Sequence, residues 1–201
     1  MVPRLLIAAA AGCAFAEVYG YWLHILLHSN RIEFLSRDHM LHHLVIYGPR
    51  QPLVRPGPYL SSTKGRLGLG AIGLEWLVPV VLAILACLAL LRACGAAWPT
   101  AAAFVGASLA WSSVFFNYVH DATHIKGIWL EQAPLLRSWF ATTRRLHILH
   151  HTVLDDEGHM AANFGISFAL CDRLFGTFLA AARPFNESGL RAALRRYSYI
   201  F

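Results

Sequence analysis

Two stretches share one spacing, His39-Met40-Leu41-His42-His43 and His147-Ile148-Leu149-His150-His151. Each follows a looser pair, His24 and His28 before the first and His120 and His124 before the second. Ten of the 11 histidines thus fall into four clusters, and only His159 stands apart. On a helix, residues three or four apart share a face, so each cluster aims two or three imidazoles at one place. Neutral imidazole is the commonest metal ligand in proteins. One ion takes about four to six ligands, so ten converging imidazoles are too many for one ion and suit two. A lone pair of histidines is more often a core or surface feature, but four clusters in two matched sets weigh against accident. Zinc on four histidines is usually structural or hydrolytic. A site this rich in imidazole and without a carboxylate pattern suits redox metals better, and the Glu-x-x-His signature of soluble di-iron bundles does not occur.

The elements that position these residues belong to a membrane protein. A chain of 201 residues has the length of one domain, and 57% hydrophobic against 14% charged residues is too apolar for an ordinary soluble one. The net charge of +6 does not point to nucleic acid, because the basic residues do not interleave with aromatics on a polar platform. Cys13, Cys87, Cys94 and Cys171 form no CxxC pair and read as small buried residues, so neither a disulfide framework nor a zinc finger is indicated.

Three apolar stretches, about 5–27, 72–91 and 98–119, are long enough to cross a bilayer core of about 30 Å at about 1.5 Å per residue. The first also imitates a signal peptide, with Arg4, an apolar run and Ala14-Phe15-Ala16, but its pattern continues past Glu17 to His24 and His28. Pro49, Pro52, Pro56 and Pro58 interrupt any helix between the first two spans, and Pro79 is expected to kink the second. Gly68-Leu69-Gly70-Ala71-Ile72-Gly73 matches GxGxxG, yet no strand precedes it and an apolar helix follows, so it reads as small residues opening a span. Residues 164–182 are apolar but carry Asp172 and Arg173, which favours an interfacial or core helix over a fourth span. The basic segment with Arg191, Arg195 and Arg196 is expected near anionic headgroups. The expected fold is an all-α membrane protein, one domain over 1–201, with three to four transmembrane helices and a cytoplasmic histidine-rich helical cap.

Between His24/His28 and His120/His124 the chain crosses twice, so all four clusters lie on one side and can meet. Arg31, Arg37, Arg50, Arg55, Lys64 and Arg66, and nine more basic residues after Asp121, share that side, leaving Arg4 and Arg92 opposite. The positive-inside rule makes it cytoplasmic. Two histidine-bound irons at a membrane surface fit the activation of O₂, as co-substrate, toward an unactivated C–H bond, and a site that acyl chains can enter from the bilayer expects a lipid substrate.

HxxxH (His24, His28), HxxHH (His39, His42, His43), HxxxH (His120, His124) and HxxHH (His147, His150, His151) are followed by Asn163-Phe164-Gly165 and Asp172-Arg173-Leu174-Phe175-Gly176-Thr177. Together these resemble the fatty acid hydroxylase/sterol desaturase superfamily over nearly the whole chain, although Cys171 stands where that family usually has Trp. The resemblance implies a di-iron, O₂-dependent membrane oxidoreductase that hydroxylates or desaturates a fatty acyl or sterol-like lipid, with the ten box histidines as metal ligands. A carotenoid or hopanoid oxygenase is the rival within that chemistry, and a histidine-rich metal transporter the rival outside it. Transport favours ionisable residues deep within several spans, whereas these cluster at span ends. No cytochrome domain, credible nucleotide loop or CxxC ligand set is present, so electrons are expected from a separate ferredoxin or small cytochrome with its reductase. Its expected landing area is the basic surface of Arg137, Arg144 and Arg145.

Four residues outside the boxes are candidates to support the ligands from behind. Glu17 lies seven and eleven residues before His24 and His28 and so shares their helical face, with a helix-helix polar contact as the alternative. Asn117 falls in one stripe with Ser113, His120 and His124. Asn163 belongs to the Asn-Phe-Gly motif. His159, after Asp155-Asp156-Glu157, is either a further ligand or a solvated loop residue. Arg50 and Arg55 are candidates to meet lipid headgroups.

Overall fold

A computed structural model describes residues 2–54 and 74–201, without the side chains of 74–77. The GxGxxG stretch, Arg55, Lys64, Arg66, Pro56 and Pro58 lie outside the described residues. Among the described residues the protein is all-helical, with only two isolated bridges, Val54 to Ile125 and Leu154 to Met160.

Helix α1 (Val2–Leu27) runs unbroken through Ala14-Phe15-Ala16 and carries His24, as a span does. After a tight link, α2 (Glu33–Leu41) continues into a π-helical turn, His42–Ile46. Helix α3 (Leu74–Ala93) includes Pro79, and α4 (Trp98–Ser112) passes through a second π segment, Ser113–Val119, into the short α5 (His120–Thr123). Pro99 opens α4 in the first turn, where its missing N–H has no intrahelical partner to lose. Helix α6 (Arg137–Thr152) carries the second HxxHH, α7 spans Leu170–Phe175 and α8 spans Glu187–Arg196, capped by the Asn186 side chain accepting from Gly189 N.

Two helical stretches, Val2–Leu27 and Trp98–Thr123, are long and apolar enough to cross a membrane; Val78–Ala93 is a shorter apolar stretch. Large apolar side chains point outward along them, among them Leu6, Ile7, Leu82, Leu90 and Leu109, as expected of helices whose solvent is lipid. Inside such a solvent there is little hydrophobic drive to bring helices together, so close backbone approach through small residues does it. Ser108 Oγ donates to Gly12 O at 3.0 Å, and a Cβ on Gly12 would collide with the Phe104 carbonyl. One on Gly20 would collide with the Phe116 ring. Tyr19 Oη donates to Pro79 O at 2.7 Å, fastening α3 to α1.

The apolar run 164–182 does not form the expected interfacial helix or fourth span. It is helical only over Leu170–Phe175, because Gly176 adopts φ 78° and ends α7 in a left-handed cap, and Asp172 is turned inward to bind loop backbone. The C-terminal segment covers the cap: Met40, Leu154, Met160, Ala193, Tyr197 and Ile200 form one apolar cluster. Tyr197 Oη donates to His28 O at 2.6 Å, and burial pushes that phenol up to about 12. The basic face of α8 is exposed at Arg191 and Arg195, while Arg196 is half-buried and donates to Glu157 O at 3.3 Å.

Candidate metal centre

The ten box histidines converge, and they do so in two sets. His24, His28, His39, His43 and His150 bring one ring nitrogen each within 4.8 Å of one another; His42, His124, His147 and His151 do the same. His120 joins the second set through His42, with rings stacked at 4.6 Å. The two π segments fall at the boxes: one begins at His42 and the other ends at Val119, directly before His120. A wider turn re-aims the side chains that follow it, whereas the second HxxHH divides between the two sets from within the regular helix α6. Thus His39 and His43 face the first set while His42 faces the second, and His147 and His151 face the second while His150 faces the first.

The donor chemistry tests whether cations fit. His24 Nδ1 lies 2.6 Å from Phe164 O, His150 Nδ1 2.7 Å from Ala162 O, His124 Nδ1 2.7 Å from Pro52 O and His151 Nδ1 3.0 Å from Tyr47 O. A carbonyl only accepts, so each Nδ1 carries the proton and each Nε2 presents a lone pair. Lone pairs then face one another: His124 Nε2 and His151 Nε2 both lie near His147 Nε2, at 2.9 and 3.1 Å. One proton on His147 can serve only one of them. In the first set His150 Nε2 is 3.0 Å from His28 Nε2, which is 3.0 Å from His39 Nε2, while buried His24 Nε2 and both nitrogens of His43 have no hydrogen-bond partner. Buried lone pairs in such number call for cations between them. Burial, and after it the neighbouring imidazoles, hold His28, His39, His42, His43, His147 and His151 well below the usual imidazole value. Burial pushes His150 down to about 3. All seven are therefore neutral at physiological pH, the form that ligates metal.

The family model for fatty acid hydroxylase matches residues 69–177. The chain belongs to the fatty acid hydroxylase family. No curated protein and no solved structure matches it. The matched segment ends at Thr177 and contains two of the four histidine clusters, the two closest to α6 and α5. Membership makes this an oxidoreductase family protein of the membrane, in keeping with its two long apolar helices.

The supporting residues fall differently from expectation. Glu17 does not reach a ligand imidazole: its carboxylate accepts from Trp111 Nε1 at 3.0 Å and from Ser167 Oγ, the helix-helix polar contact that was the alternative. Sharing a helical face with His24 leaves Glu17 two turns further into the bundle, too far to touch it. His159 stands outside both sets, 43% exposed at its side chain and paired with Asp155 at 2.9 Å. The Asn163 side chain bonds to backbone: it donates to Leu146 O and Leu179 O and accepts from Leu179 N, holding the loop against α6. Asn117 sits half-buried in the π segment one turn before His120. Arg144 is not the free surface charge that the sequence suggests. Only 15% of its side chain is exposed, and it pairs with Glu131 and donates to Ala122 O and Ile125 O, clamping the turn that carries His124 to α6. Arg137 and Arg145 remain exposed, and Arg50 pairs with Glu187 at 2.6 Å.

Sequence reasoning missed Tyr47, whose ring stacks on His124 at 4.0 Å and 8°, and the backbone carbonyls that orient the rings. A carbonyl acceptor leaves no mark on residue identity, and the sequence carries no signal for it. Asp172, in contrast, was visible in a motif without a role.

Proposed function

We propose that the two histidine sets hold two iron ions and that the protein is an O₂-dependent lipid hydroxylase or desaturase. The observation that carries this reading is the convergence of ten imidazoles, four of them with the lone pair fixed by a backbone carbonyl, at the ends of helices whose outer faces are apolar. Iron bound there would supply the oxidising power that removes hydrogen from an unactivated C–H bond, which no acid or base of the protein can do. The chain's own residues keep the ligand rings neutral, fix their tautomers through backbone carbonyls and bury the centre from bulk water. Hydroxylation consumes the lipid, O₂, two electrons and two protons and yields the alcohol and one water. Desaturation with the same inputs yields the alkene and two waters. Both electrons come from outside, from a ferredoxin or small cytochrome with its reductase. The substrate is a fatty acyl or sterol-like lipid, and the centre faces the cytoplasm, supported by the excess of Lys and Arg in the segments that flank the histidines.

The experiment is reconstitution of the full chain with iron in lipid, with O₂, donor and reductase, and mass spectrometry of the lipids. Gain of one oxygen or loss of two hydrogens, dependent on iron and on donor, is expected. Turnover without any donor, or by a zinc-loaded chain, overturns the reading.

A further inference from the structure

The Asn163-Phe164-Gly165 and Asp172 to Thr177 motifs fold into one device behind the first histidine set. Asp172 is 1% exposed, and its carboxylate takes three donors. Phe164 N donates to Oδ1 at 2.7 Å, Gly165 N to Oδ2 at 2.9 Å and Thr177 Oγ1 to Oδ1 at 2.7 Å. The loop it grips is shaped for that grip. Asn163 holds φ 57°, in the left-handed region where Asn is among the better-tolerated residues. Gly165 leaves no room for a side chain: a Cβ there would stand 2.7 Å from Asp172 Oδ2 and 2.8 Å from Phe168 O.

The same loop supplies Ala162 O to His150 and Phe164 O to His24, both in the first set. In the second set the rings of His124 and His151 lean instead on Pro52 O and Tyr47 O. That support is pinned separately, by Val54 N donating to His124 O at 2.8 Å and Lys126 N to Val54 O at 3.0 Å. The two supports share no residue. Each loop follows one HxxHH box and orients rings of the set built mainly by the other half of the chain.

We infer that Asp172 is a positioning residue for the first metal site alone, acting through the 162–165 loop backbone, so that the two sites can be unloaded independently. This rests on the two-metal reading above. With the carboxylate gone, Phe164 N and Gly165 N lose their acceptor, the loop carbonyls drift, and His24 and His150 lose the tautomer and direction that ligation needs. Removing such an outer partner typically weakens metal binding by about 10–100-fold.

The test uses the full chain in phosphatidylcholine nanodiscs, stripped with chelator and titrated with Co(II), read by visible absorption and by cobalt retained per chain. The unsubstituted chain is expected to bind two ions. Asp172→Asn and Gly165→Ala should each leave one ion at its original affinity and weaken the other by about 10–100-fold. Adding His39→Ala to Asp172→Asn should change nothing further at the retained ion, whereas adding His147→Ala should remove it. Equal weakening of both ions, or no weakening, overturns the inference. Where Asp172→Asn fails to give a monodisperse chain, Gly165→Ala and the milder Thr177→Val carry the test, since both keep the carboxylate. Loss of fold in all three would make Asp172 a folding residue and overturn its site-selective role. An unsubstituted chain that binds fewer than two ions breaks the two-metal reading itself, before any variant is considered.

Discussion

His42 and His150 are the fourth residues of the two HxxHH boxes, and each sits in the set whose other ligands come mainly from the opposite half of the chain. The exchange is reciprocal, and His43 stacked on His151 at 3.8 Å and 19° joins the two sets at their seam. Neither half of the chain therefore completes a site alone.

That exchange sets which site each substitution empties. His150→Ala should lower occupancy of the first site and His42→Ala that of the second, each removing about one of two metals and abolishing turnover, because outer and inner ligands act as a unit. Metal analysis of the two single variants and the double variant checks it. The double variant should retain close to none.

His159 predicts the opposite. Its side chain is exposed and bonded to Asp155 rather than to the histidine sets, so His159→Ala should shift stability by no more than about 0.5 kcal/mol and leave metal content unchanged. A metal-poor, inactive His159→Ala protein would place it among the ligands.

Glu17 separates helix packing from metal support. Glu17→Gln weakens the contacts with Trp111 and Ser167 and should cost about 1–3 kcal/mol of stability. Metal stoichiometry should stay at that of the parent, since no imidazole bonds to Glu17. Thermal unfolding in detergent and metal analysis read the two effects apart.

The contact between α1 and α4 offers a control on the partner helix. Gly12→Leu places a side chain against the Phe104 carbonyl and should destabilise by about 1–3 kcal/mol or more, whereas a Cβ at Gly106 meets nothing within 4 Å and Gly106→Leu should be tolerated. Yield and melting temperature of the two detergent-solubilised variants should diverge.

Stability of the metal-free chain should fall with acid. His150 titrates near 6.5 when unfolded and at about 3 when folded, and the other buried box histidines outside the spans are lowered in the same direction. The unfolded chain then binds more protons than the folded chain at every pH between those limits. Stability is fully present above about pH 6.5 and is lost progressively below it, at up to about 1.4 kcal/mol per pH unit for each proton of difference. Melting scans from pH 8 to pH 5 check the sign. Bound metal should flatten the slope until protons displace it.

The membrane class, two of the three expected spans and the identity of the ten converging histidines were legible in the chain alone, because hydropathy and three-to-four residue spacing are local properties that each segment carries with it. The extent of residues 164–182 was not. Their apolar composition reads as a helix, but the carboxylate of Asp172 is drawn to the Phe164 and Gly165 amides, and the left-handed Gly176 stops the helix after six residues. For Glu17 the sequence left a ligand imidazole and a helix-helix contact both open, since periodicity sets direction and not depth, and Trp111 and Ser167 decide for the second. Arg144 read as surface charge until Glu131 and two carbonyls claimed it. The division of the histidines into two sets, with His42 exchanged from a π turn and His150 from a regular helix, depends on how the helices pack and on backbone carbonyls from loops more than ten residues away from the rings they orient. Those acceptors belong to every residue alike, so only the tertiary structure, by choosing which carbonyl meets which ring, decides where each lone pair points.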